Sequence, residues 1–320
     1  GNSRFGGDVV GILVVGSVAL ATVSTPFGEV GGVLGGSAID FSCAASYFTS
    51  VRIVAVVGND FPHEALDFLR ERGVDTSGIA RANGETFRWS GSYGEEMGDA
   101  TTLCTLLNVF QNFRPHVPTT HRREDYLFLA NIDPELQMSV LDQVENPRLV
   151  ICDTMNFWIN GKRPDLEALL RRVDVLIVNE TEAKSLAGES NPVRAARVIH
   201  RMGPSHVVIK MGEHGVLLLG EGKIYRLPAF PVEEVRDPTG AGDAFAGGFV
   251  GALAESGDLS LEGMHRALLA GTVTASFTVE AFSLNGLRDV DRQGVEQRCR
   301  ELEEIAGWSW ARNGVGTPRR

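Results

Sequence analysis

Short runs of Val, Ile and Leu recur along the chain, and each is followed by a stretch with helical spacing of its apolar residues. Strands apolar on both faces, alternating with helices, make a parallel sheet covered on each side, because only that arrangement removes both faces from water. The runs predict strands at Ile12–Val18, Val51–Gly58, Tyr126–Asn131, Leu149–Asp153, Val175–Asn179 and Val207–Met211. The spacing predicts helices at Ser37–Phe48, His63–Arg72, Pro134–Val144, Asp165–Val173, Glu180–Ala187, Pro192–Met202, Ala241–Glu255, Met264–Phe282 and Val290–Ile305. Punctuation agrees. Gly73 follows the helix end Arg70-Glu71-Arg72, where a left-handed cap is easy and basic residues suit the dipole, and Pro134 and Pro192 stand at first helical positions. The expectation is an α/β fold with a doubly wound, mainly parallel sheet flanked by helices.

One region breaks the pattern. From Thr86 to Phe113 the chain is rich in aromatic and β-branched residues with partial alternation, split by a glycine-acidic turn. Such composition favours extended strands, and between a helix and the next core strand it predicts a small β lid inserted at about 84–115. With no internal repeat and no long linker, residues 1–320 read as one domain carrying this lid.

The 37 glycines cluster in short runs, which points to tight turns and close approach to a ligand rather than to low complexity. Thirty Lys and Arg against 41 Asp and Glu give a net charge of −11, which repels a phosphate backbone and argues against nucleic acid as a partner. The basic groups Arg122-Arg123, Arg171-Arg172 and Arg319-Arg320 read as solvated surface. No apolar run approaches the roughly 20 residues that span a bilayer, and Gly1–Asp8 lacks the basic and apolar regions of a secretory signal. The four cysteines, Cys43, Cys104, Cys152 and Cys299, show no metal spacing and read as reduced thiols of a cytoplasmic protein, mostly in core positions. The seven histidines show no zinc-ligand spacing.

The strongest chemical signal is Asp237-Pro-Thr-Gly-Ala-Gly-Asp243, followed by a helix of small and apolar residues. A glycine turn at a helix N-terminus presents free N–H groups and the positive dipole end, which suits an anion such as a terminal phosphate. Asp243 falls in the first turn, where its carboxylate can take a proton from an attacking hydroxyl. A glycine-capped helix with an acidic first turn remains the plain alternative.

Three further motifs accompany it in order: Gly35-Gly36-Ser-Ala-Ile-Asp40 with Val54-Ala-Val-Val-Gly58-Asn-Asp60, then Asn179-Glu-Thr-Glu182, then Val207-Val-Ile-Lys-Met-Gly-Glu-His-Gly215. Together these resemble the signatures of the ribokinase or PfkB family of carbohydrate kinases, over roughly residues 9 to 290. The resemblance implies a ribokinase-like fold and ATP-dependent transfer of the γ-phosphoryl group to a primary hydroxyl. It casts Asp243 as general base and Gly240, Ala241 and Gly242 as the anion hole. Asn179, Lys210, Gly212, Gly215 and Thr239 would meet ATP, and Glu182 would hold Mg2+ through water. Gly35, Gly36 and Asp40 would meet the acceptor, and Asp237 is a candidate for a monovalent cation such as K+. Asn179-x-x-Glu182 reads equally as a helix capping box, and Lys210–Gly215 as a hairpin turn between two strands.

Two departures weaken the family's sugar pattern. Gly16-Ser-Val-Ala-Leu-Ala-Thr22 lacks the carboxylate usual after the first strand, and Asp153-Thr-Met-Asn156-Phe-Trp158 replaces an Asp-x-Asn-x-Arg run. Phe87, Trp89 and Tyr93 fall on alternate positions and share one strand face. That face suits either a stacked base or a packing partner, including the lid of a second copy in a homodimer. A kinase of a small sugar or sugar-like substrate is the leading expectation, a nucleoside kinase the second, and a non-catalytic nucleotide- or sugar-binding sensor the rival of another class. Walker, dinucleotide-binding and hydrolase-elbow motifs are missing.

Overall fold

The structure, a computed structural model, describes residues 10–307, so the Gly1–Asp8 segment and the Arg319-Arg320 pair lie outside it. Every strand expected from the sequence is present, and the whole set is larger. The main sheet contains β1 (Gly11–Val15), β4 (Ser50–Val57), β5 (Val74–Arg81), β8 (Tyr126–Leu129), β9 (Leu149–Asp153), β10 (Val175–Asn179), β11 (His206–Lys210), β12 (Val216–Gly220) and β13 (Lys223–Leu227). A second sheet contains β2 (Ala19–Thr25), β3 (Gly28–Gly35), β6 (Phe87–Ser92) and β7 (Thr101–Leu106).

The main sheet runs β13-β12-β11-β10-β9-β8-β1-β4-β5, parallel except for the β11-β12-β13 meander. Its central strands are buried on both faces, which accounts for their unbroken apolar sequence. Ile12, Val14, Tyr126 and Phe128 face one core with helices Ser37–Ala45, Ala241–Ser256 and Leu261–Val279. Leu13, Val15, Leu127 and Leu129 face the other, with helices Pro134–Leu141, Arg163–Leu170, Glu180–Ala187 and Pro192–His200. The helix Ala241–Ser256 needs its small residues, since a Cβ on Gly247 would meet the Phe41 carbonyl oxygen at 2.2 Å. No helix among the described residues is long and apolar enough to cross a membrane.

Strand order reverses between β1 and β8: from β1 the chain builds outward through β4 and β5, then returns to lay β8 on the other side. Ligands of open α/β sheets bind at the carboxyl ends of the strands beside such a reversal. Ser17, Asp153, Asn179 and Lys210 all stand at those ends.

The lid departs from its predicted boundaries. Only β6 and β7 come from the 84–115 region, and the sheet β3-β2-β6-β7 takes its other half from residues 19–35. Four glycines in the eight residues of β3 mask its strand signal, whereas β2 does carry Thr22, Val23 and Thr25 in an alternating pattern. β6 is anchored at its start. Asp60 Oδ1 accepts Thr86 N–H and Thr86 Oγ1–H, both at 2.7 Å, and Arg88 pairs with Asp60 Oδ2 at 2.6 Å. The expected left-handed Gly73, and Pro134 and Pro192 at first helical positions, are observed. Cys43 and Cys152 are buried as expected, whereas Cys104 on β7 is exposed.

Candidate active site

Helices Ser37–Ala45 and Ala241–Ser256 pack side by side, and each carries a carboxylate in its first turn, Asp40 and Asp243. Ser17 and Ser37 exchange N–H to Oγ bonds at 3.1 Å in both directions, which pins the start of the first helix to the end of β1. Gly35 and Gly36 form the junction between lid and helix. Gly36 caps the helix at φ 107°, and a Cβ there would meet the Ser17 carbonyl oxygen at 2.6 Å.

The turn before Asp243 is built around Asp237 and Gly240. Asp237 Oδ1 accepts Thr239 N–H and Oδ2 accepts Ser283 N–H, both at 2.9 Å. Both carboxylate oxygens of the buried Asp237 thus have a backbone N–H partner. Gly240 takes φ 76° as the left-handed residue before the helix. Ala241 N–H donates to the Pro238 carbonyl at 3.2 Å within the turn. Within residues 240–243, the amides of Gly240, Gly242 and Asp243 have no acceptor in the structure, at the positive end of a 16-residue helix.

Two glycines separate the two sides of the site. A Cβ on Gly240 would meet the Asp40 carboxylate at 2.6 Å, and one on Gly242 would meet Lys210 Nζ at 2.8 Å. Asp40 therefore lies on one side of the turn and Lys210 on the other. Lys210 Nζ also pairs with Asp153 Oδ2 at 3.4 Å, while Asp153 Oδ1 accepts Thr154 N–H at 2.7 Å. Gln137, fully buried, donates to the carbonyls of Leu129, Ala130 and Asp153 and so locks the ends of β8 and β9 together.

The charges on this floor perturb one another. Burial, then the charge of Asp153, pushes Asp243 up to about 7, with Lys210 opposing. Burial and Asp153 likewise push Glu182 to about 7. Burial alone would lower Lys210, but Asp153, Glu182 and Asp243 hold it above its ordinary value, so it stays charged. Burial, then Asp243 and Asp237, raises Asp40 well above the carboxylate range.

Asn179 and Glu182 do form a capping box: Asn179 Oδ1 accepts Glu182 N–H at 2.7 Å, and Glu182 Oε2 accepts Asn179 N–H at 2.8 Å. Glu182 is only 9% exposed and within electrostatic reach of Asp153 and Lys210. No group of three His, Cys, Asp or Glu among the described residues could hold an ion directly. The oxygen donors and surplus negative charge fit a hard, hydrated ion such as Mg2+ better than one stripped of its waters.

Gly212 and Gly215 form the β11–β12 hairpin foreseen as an alternative. A Cβ on Gly215 would meet the Leu227 carbonyl oxygen at 2.0 Å, so its closest constraint is the fold itself, while Gly212 opens into free space. Thr239 Oγ1 donates to Tyr93 Oη of the lid at 3.1 Å. Asp153 was visible in the sequence only as a departure. It obeys the same rule as Asn179 and Lys210, a polar residue ending an apolar strand, and that signal could have found it. Beside it, Thr154 Oγ1 and Asn156 Oδ1 are buried without a protein partner, as polar atoms in a ligand site are.

On the lid, Ala19, Ala21 and Val23 of β2 are buried and stand opposite Phe87, Trp89 and Gly91 of β6. A Cβ on Gly91 would meet the Trp89 ring at 2.3 Å, so the indole lies over Gly91, and Nε1 reaches Thr102 Oγ1 at 3.4 Å. Phe87 instead stacks on Phe110 at 5.4 Å and belongs to the packing beneath the lid.

A family profile described as pfkB family carbohydrate kinase matches residues 12–288. The chain is 31% identical to the cytidine kinase of Thermococcus kodakarensis over 252 residues, 75% of this chain and 87% of that protein. It resembles the crystal structure of a Methanocaldococcus jannaschii nucleoside kinase, with TM-score 0.71 and 19% identity over 92% of this chain and 100% of the other. A ribokinase structure from Thermotoga maritima gives TM-score 0.72 and 21% identity, covering 91% of this chain and 99% of the other.

Proposed function

From the premise that the chain belongs to the pfkB family of carbohydrate kinases, we propose that it transfers the γ-phosphoryl group of ATP to a primary hydroxyl of a nucleoside, with Asp243 as base. The observation that carries the reading is the glycine turn, which holds Asp40 on one side, Lys210 on the other and Asp243 at its end. The acceptor hydroxyl, held by Asp40, gives its proton to the Asp243 carboxylate. The oxygens of the transferring group are held by the Gly242 and Asp243 amides and by Lys210, which cost no reorganisation during reaction. Asp153 keeps Lys210 in place until the phosphates arrive. Glu182, with Asn179, would hold Mg2+ through water, and the ion would offset phosphate charge. We assign Asp237 to the geometry of the turn; equal rates measured in K+ and in Na+ would support that assignment, and a rate that requires K+ would return Asp237 to a cation-holding role.

The lid favours a nucleoside over the free sugar expected first. Trp89, half-buried on β6, would offer a flat surface to a base. Similarity to a cytidine kinase supports the same choice. A non-catalytic sensor has no use for a base so placed. β7 is an unpaired edge with every residue exposed, including Leu103 at 63%, and we assign it to pairing with a second copy. The functional test is ADP release from MgATP across a panel of nucleosides and sugars. Release with nucleosides supports the proposal, release with free sugars alone moves the assignment to a sugar kinase, and silence across the panel removes the catalytic reading.

A further inference from the structure

The lid and the phosphoryl-holding turn share a closed ring of hydrogen bonds. Tyr93, just past the end of β6, donates its N–H to the Ser24 carbonyl of β2 at 2.9 Å, and its Oη accepts Thr239 Oγ1–H at 3.1 Å. Thr239 N–H runs to Asp237 Oδ1, and Asp237 Oδ2 takes Ser283 N–H. Ser283 Oγ then donates to the Leu34 carbonyl of β3 at 3.0 Å. β2 and β3 are paired, so the path closes on itself. Asp237, 1% exposed, is its hub.

A second observation supports the ring. Ser283 holds φ at 56°, in the left-handed region that a serine occupies only when its surroundings over-determine it. In that conformation its N–H reaches Asp237 while its hydroxyl reaches the lid. Burial pushes the Tyr93 phenol up to about 12, so the hydroxyl stays protonated across the working range.

We propose that this ring couples the lid to the Asp237–Asp243 turn, with Tyr93 and Ser283 as positioning residues, so that the amides of the anion hole are fixed only while the lid is down. ATP bound without an acceptor then faces a loosened turn, and transfer to water is suppressed. Neither residue touches a reacting atom in this scheme. Both act through Asp237 and Thr239. The kinetic consequence rests on the phosphotransfer reading above, whereas the structural one does not.

The test uses Tyr93→Phe, which removes one hydroxyl, and Ser283→Gly, which removes the link to Leu34 while easing the backbone. Hydrogen exchange of the full chain reads the ring directly. Each variant should speed exchange of the 239–243 amides and of β6 by about tenfold, and the double variant should exceed the larger single by less than about twofold, as for members of one circuit. With an acceptor that supports turnover, each should lower kcat about 5- to 10-fold, keep KM for ATP within about twofold, and raise the share of ATP lost to water. Unchanged exchange at 239–243 in both singles overturns the ring, whatever the activity. Strictly additive effects in the double variant overturn it as well. If wild-type protein turns over no acceptor, the functional reading fails and exchange still decides the ring.

Discussion

On the floor of the site, Asp153, Glu182, Lys210 and Asp243 come from separate elements into one buried charge cluster, each raised in pKa or pinned by its neighbours. On the lid, β2 packs away Ala19, Ala21 and Val23, and β6 carries an indole laid over a glycine. The floor needs charge because a phosphoryl group carries charge that must be met in place. The lid needs only shape, because its task is to choose what lies beneath it. In the proposed function, chemistry and selection are thus divided between two sheets, joined through Asp237.

That division can be broken by experiment. Asp243→Asn keeps the shape and removes the base, so kcat should fall by about 10²-fold or more with ATP affinity largely kept. Steady-state kinetics with near-normal turnover would remove Asp243 from its role. Trp89→Ala should act on the other side of the divide, raising KM for a nucleoside by about tenfold while kcat changes little, since stacking on an aromatic plane is worth about 1–3 kcal/mol per base. A loss in kcat alone would place Trp89 with the floor. The pH dependence is the next sharpening. Asp243 acts only when ionised, and burial with Asp153 raises it to about 7, so kcat/KM should climb with pH and stand near half its plateau at about pH 7. Trp89→Ala should leave that limb where it is. The smallest catalytic effect is expected of Leu103→Lys, which should halve the mass seen by light scattering and keep kcat within about twofold. An unchanged mass would take β7 out of the assembly.

The floor was legible in the sequence because its residues are tied to local signals. Asp243 follows glycines at a helix start, Asn179 and Lys210 end apolar strands, and each sits where a short-range rule predicts. The core strands were legible for the same reason. Half the lid was not, because β3 is rich in glycine and β2 takes its place by pairing with β6, a partner distant in sequence. Asp153 and Tyr93 escaped assignment because their partners, Lys210 and Thr239, lie far along the chain, 57 and 146 residues away. The bond from Ala241 N–H to Pro238 was not legible either, since it depends on the turn's exact path. Spacing shows which residues share a turn, and only the folded chain shows which amides that turn leaves open.

The most direct test follows the phosphorus itself. Wild-type protein is incubated with MgATP and a nucleoside that gives ADP, and the product is read by phosphorus NMR and mass spectrometry. The account predicts one phosphate on the primary hydroxyl of the nucleoside, formed one-for-one with ADP and missing in Asp243→Asn. Free phosphate in place of a nucleoside phosphate, or an unchanged yield from Asp243→Asn, would contradict it.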